Sequence, residues 1–153
     1  MDESLHFLNK MWGYMLQNNK KYFAHYIYKH QLLLSLNYNF SNLPEKAISI
    51  LEPLVNSKIK DVVAKLDIEL SLIVFYYHNN SIEKAKKLLA TFYKTDTWYV
   101  NKVGVIWTIK KNLIEILFHI DLGNIDLVDS RLKSFKKNYT KILKDIDLDN
   151  VLT

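Results

Sequence analysis

Apolar residues recur along this chain at intervals of three and four rather than two, so the pattern is helical from end to end. Residues 2–18 place Leu5, Leu8, Met11, Trp12, Met15 and Leu16 on one side, with His6, Asn9, Lys10, Gly13 and Gln17 opposite. That is an amphipathic helix with one buried face. Residues 20–38 continue as a second helix, first aromatic (Tyr22, Phe23, Tyr26, Tyr28) and then leucine-rich (Leu32, Leu33, Leu34, Leu36). A short helix opens at Asn42 and carries Ala47, Ile48, Leu51 and Leu54. Pro53 ends or bends it, because its ring cannot continue the hydrogen-bond ladder. In 59–78 the polar residues Asp61, Lys65, Asp67, Glu69 and Ser71 scatter around the circumference, which marks a helix packed on more than one side. Residues 81–93 are one-sided again, with Ile82, Ala85, Leu88, Leu89 and Phe92 against Lys84, Lys86 and Lys87.

The stretch Trp98–Gly123 reads as one long central helix, capped by Thr95 or Asp96 and closed by Gly123. Apolar residues from Val103 to Ile120 spread over more than half of its circle. They leave a narrow polar arc of Gly104, Thr108, Lys111, Asn112, Glu115 and His119. Lys110 falls inside the apolar arc, so it must snorkel or find a buried carboxylate such as Asp67 or Glu69. The last helix runs from Asn124 to about Asp145, with Ile125, Val128, Leu132, Phe135, Tyr139, Ile142 and Leu143 in one stripe. The tail beyond it is expected to fray.

Composition agrees with this pattern. Only three glycines and two prolines occur in 153 residues, too few for the regular turns of a β-sandwich. The expectation is one all-α domain of about seven antiparallel helices. It is organised as pairs over about 20–56, 59–93 and 98–145, with 2–18 a cap or a truncated repeat.

The short helices repeat. Asn42-x-x-Glu45-Lys46-Ala47 with Leu51 and Leu54 matches Asn80-x-x-Glu83-Lys84-Ala85 with Leu89 and Phe92. Gly123-x-x-Asp126-Leu127-Val128 with Leu132 and Phe135 is a looser third copy. The asparagine-to-glutamate spacing is that of a capping box. A small residue followed by apolar ones four and seven later lets a second helix lie close against its partner. Self-similarity at this period signals stacked helix pairs. The pattern over roughly 20–143 resembles the tetratricopeptide-like superfamily. That resemblance implies a right-handed α-solenoid whose first helices line a concave, ligand-holding face.

Candidate chemistry is sparse. There is no cysteine, hence neither a disulfide nor a thiolate metal site. Glu115 and His119 are i, i+4 neighbours, but two ligands make a poor metal site. The run Asp145–Asn150 imitates half of a calcium loop and lacks the glycine and the final glutamate. No phosphate-binding glycine loop or nucleophile elbow occurs. The expectation is therefore a non-enzymatic protein without cofactor or metal. No apolar run is long enough for a membrane span, and the N-terminus lacks a leader pattern, so a soluble, cytoplasmic protein with no membrane partner is expected.

A net charge of +5 raises the question of nucleic acid, to which Arg131, Lys133, Lys137 and Lys141 on the last helix form a possible basic patch. Interleaved exposed aromatics for base stacking are missing there. The favoured expectation is a scaffold that binds a peptide or protein segment through Thr108, Lys111, Asn112, Glu115 and His119. A nucleic-acid-binding protein and a structural subunit of an oligomer are the alternatives.

Overall fold

The computed structural model describes residues 2–17 and 23–151. These form eight α-helices and no strand, so the protein is all-α. The start of the second predicted helix, 20–22, lies outside the described residues. The chain divides into two compact units, Met1–Tyr93 and Lys94–Thr153.

The first unit holds α1 (Asp2–Gln17), α2 (Phe23–Phe40), α3 (Pro44–Val55), α4 (Val62–His78) and α5 (Ile82–Leu89). Each packs on the next, and α2 also lies against α4. Helix α1 buries Leu8 and Met15, whereas Leu16, expected on the same face, is exposed. Trp12 of α1 lies 5.0 Å from the ring of His30. The His30 Nε2 is 3.1 Å from the Leu8 carbonyl, a buried polar tie between α1 and α2. Helix α4 is the hub, burying Leu66, Ile68, Leu70, Leu72, Ile73, Phe75 and Tyr76, as its lack of a polar face requires. The Asp61 carboxylate caps it by accepting from the Val63 and Ala64 amides at 2.9 and 3.2 Å. Ala47 and Ala85 are fully buried, the small contacts that the repeat demands.

The repeat also appears in the backbone. Asn42, Asn80 and Gly123, the same register position in all three copies, take left-handed φ values of 58°, 54° and 69°. The amide after each reaches back to the carbonyl five residues earlier: Leu43 to Tyr38 at 2.9 Å, Ser81 to Tyr76 at 2.7 Å, Asn124 to His119 at 3.0 Å. These are helix-ending turns in which Asn or Gly tolerates the left-handed conformation. The capping-box expectation is thereby corrected. Leu43 and Ser81 occupy the cap positions of α3 and α5, and neither caps with a side-chain hydrogen bond. The asparagines end the preceding helix rather than start the next.

The second unit holds α6 (Asp96–Val103), α7 (Val105–Asp121) and α8 (Ile125–Val151). The expected single helix over 98–123 is broken at Gly104, whose φ of 89° and ψ of 165° are open essentially to glycine alone. Thr95 caps α6 through the Trp98 amide at 3.3 Å. Across the break, the fully buried Tyr99 ring stacks on Trp107 with centroids 5.5 Å apart. Helix α8 runs through Val151 rather than ending near Asp145.

Candidate functional site

The five residues expected to line a groove fall largely inside the second unit. Thr108 is 0% exposed and donates from its hydroxyl to the Gly104 carbonyl at 3.0 Å. Lys111 is 4% exposed, with its Nζ 3.5 Å from Asp96 and 3.4 Å from Glu115, and 5.5 Å over the Tyr99 ring. Asn112 donates to Asp96 Oδ2 at 2.7 Å and to the Tyr139 hydroxyl at 3.4 Å. Tyr139 itself donates to the same Asp96 oxygen at 2.7 Å. Glu115 also pairs with Arg131 at 2.7 Å. His119, half-buried, meets the Asn124 side chain at 3.3 Å.

The arc is thus a network that joins α6, α7 and α8. Burial alone would raise the Asp96 carboxyl, but the hydrogen bonds from Tyr139 and Asn112 and the Lys111 charge outweigh it, holding Asp96 below its ordinary range. Burial, then the Asp96 hydrogen bond and charge, push the Tyr139 phenol up. The hollow beside these groups is about 20 Å³, room for about one water and no peptide. The polar groups of this arc are occupied with one another and with Asp96, Arg131 and Tyr139.

The opposite side of α7 faces outward. Ile106, Leu113, Leu117 and Ile120 are exposed, Leu117 by 58%, and Lys110 is exposed among them. Lys110 therefore has no burial to relieve, contrary to the expectation of snorkelling or a buried carboxylate. On α8, Lys133, Lys137 and Lys141 form an exposed row at i, i+4 spacing, while Arg131 of the expected basic patch is engaged by Glu115.

A cleft of about 360 Å³ lies in the first unit, between α2 and the start of α4. Tyr26, Tyr28, Lys29, Leu32 and Leu33 line it from α2, and Asp61, Val63, Ala64 and Asp67 from the α4 side. Helical spacing explains the set: positions 26, 29 and 33 share one line of α2, and 63, 64 and 67 share one face of α4. The α4 edge is fixed by the Asp61 cap. Periodicity marks α2 as a helix but does not reveal this cleft. The cleft depends on the contact of α2 with α4, which are not neighbours in the chain, and local spacing does not show such a contact.

A second hollow of about 300 Å³ lies among residues of α3, α4 and α5. There Glu52 accepts from Lys84 and from the Tyr76 hydroxyl, both at 2.8 Å, and Lys87 brings a second ammonium to the same lining. Those two bonds, Lys84 first, hold the Glu52 carboxyl below its ordinary range.

Among the described residues, no group of three or more His, Asp or Glu side chains could hold a metal ion, and no helix is long and apolar enough to cross a membrane. Family models, curated proteins and solved structures were all compared with this chain, and none matches it.

Proposed function

We propose that this chain is a non-enzymatic interaction module built from divergent tetratricopeptide-like helix pairs, and that it holds a peptide segment of a partner protein between α2 and α4. The observation that carries this reading is the cleft of about 360 Å³ lined by those two helices. From Tyr26 to Leu33 the lining runs about 10 Å along α2. That length accommodates about three residues of an extended chain. Its apolar surface (Leu32, Leu33, Val63, Ala64) can bury a side chain of the segment. The α2–α4 position is also where the resemblance to helix-pair stacks implies a ligand face, although the sequence alone pointed to a different helix.

Selection from a random peptide display library tests it. Binders are expected to enrich on the protein and to be lost on Ala64→Phe, which fills the cleft, with circular dichroism confirming that the variant is folded. No enrichment, or binders indifferent to the filled cleft, would overturn the reading.

A further inference from the structure

We infer that the outer face of α7 is a self-association surface, on which two copies of this chain pair, α7 against α7 and antiparallel. The inference stands apart from the peptide cleft, which lies in the other unit.

The spacing carries it first. Ile106, Lys110, Leu113, Leu117 and Ile120 are all exposed, and they follow one another at intervals of four, three, four and three. Those are the d, a, d, a, d positions of a heptad, the seam along which one helix packs on another at a shallow angle. The other side of α7 is already engaged with α6 and α8 through Asp96, Tyr139 and Arg131. A helix with one face packed and a second apolar face left over is built to be covered on both.

The area sets the strength. Ile106, Leu113, Leu117 and Ile120 are 45, 42, 58 and 47% exposed. Together they make a stripe of roughly 350 Å², the size at which an exposed apolar patch marks an association site. About 65% of a homodimer interface is apolar, so this stripe with its polar rim buries roughly 1,100 Å² over two copies. That just clears the ~1,000 Å² of a specific contact, which makes the dimer weak and concentration-dependent.

Lys110 decides the direction. In a parallel pair in register, the two ammoniums would meet in one layer. In the antiparallel pair that layers Leu113 with Leu117 of the second copy, Lys110 lies beside Ile120 instead. The two Lys110 positions are then ten residues apart along the axis, about 15 Å. That exceeds the screening length of ~8 Å at physiological salt. Each ammonium comes near the last turn of the facing helix, the negative end of its dipole. Ile106 reaches the turn that follows, where Leu122 and Ile125 are exposed as well. The stripe is thus complementary to itself about a two-fold axis, as an isologous dimer requires. The lysine row of α8 stays out of the contact, because α8 packs on the opposite side of α7.

Sedimentation equilibrium of the full chain, from about 1 μM to about 1 mM, tests the inference. The mass is expected to rise with concentration from 18.1 kDa toward twice that value. Leu113→Gln with Leu117→Gln should weaken association at least about tenfold. Its melting by circular dichroism in dilute solution, where the chain is monomeric, should match the parent. Lys110→Leu should tighten the dimer about tenfold, since a lysine in the seam costs stability. Damage to the fold cannot mimic that gain. The chain has no cysteine, so cross-linking reads the direction. A short bismaleimide should join Lys110→Cys with Ile120→Cys into dimers and leave Lys110→Cys alone unjoined. A mass of 18.1 kDa at every concentration would overturn the inference and leave this face to a different partner. A dimer indifferent to the α7 substitutions would overturn it equally. Efficient joining of Lys110→Cys alone would overturn the antiparallel pairing.

Discussion

Lys111 shows how this protein handles a charge taken out of water. Its ammonium is almost wholly buried, and Asp96, Glu115 and the Tyr99 ring surround it. Removing one partner from such a group costs more than replacing it by an apolar side chain of similar length. Lys111→Ala should therefore destabilise the protein by about 3 kcal/mol, and Lys111→Met clearly less, in urea denaturation at pH 7. Tyr139→Phe, which deletes one hydrogen bond to Asp96, should cost about 1 kcal/mol. The pH dependence has two opposite parts. Asp96 is held below its unfolded value, so its contribution is present above about pH 4 and is lost as pH falls through the lower folded value. Asp96→Asn should be destabilising at pH 7, with the difference shrinking as pH falls below about 4. Glu69 behaves the other way. Burial raises it, with Lys65 at 3.7 Å only partly compensating. Stability is then highest while Glu69 is protonated and falls as pH rises through its raised folded value. Glu69→Gln should be at least as stable as the parent at pH 7, with the gap closing near pH 4. A Glu69→Gln variant markedly less stable at pH 7 would contradict this assignment.

Among the elements, the helix ends and the orientation of α7 decide the fold. Asn42 and Asn80 hold the left-handed position that Gly123 holds in the third copy. Asn80→Ala should cost about 1 kcal/mol and Asn80→Gly almost nothing, by thermal denaturation. Gly104→Ala should cost about 1–3 kcal/mol, because its backbone angles are strained for any residue with a Cβ. On α7, Leu113→Gln with Leu117→Gln should stay within about 0.5 kcal/mol of the parent for each change, as at exposed sites. Ile116→Ala, on the buried side, should cost about 2–5 kcal/mol. The reverse order would mean that α7 is turned the other way. Periodicity located most of these helices and the one-sided α5, and it recognised α4 as interior. It could not orient α7. A helical wheel assigns polar residues to solvent, and here they are satisfied by Asp96, Arg131 and Tyr139 on other helices, with Asp96 and Tyr139 forty-three residues apart. Such long-range pairing leaves no trace in local spacing. The break at Gly104 was equally hidden, since an isolated glycine can also sit within a helix at modest cost.

For the whole molecule, the sequence foretold an all-α protein, and three equivalent helix-ending turns recur at the register of its repeated motif. The proposed site was not legible in the sequence. A face made by first helices was expected, but the cleft lies on α2 and α4 and not on α7, because the polar arc of α7 is consumed by the packing of its own unit. The central claim is that the α2–α4 cleft is the peptide-binding surface. Amide chemical-shift mapping of the full chain, titrated with the tightest peptide recovered by display selection, tests it most directly. The account predicts perturbations concentrated on residues 26–33 and 61–67, with α7 and α8 silent. Perturbations centred on α7 or α8, or spread without focus over the chain, would contradict it.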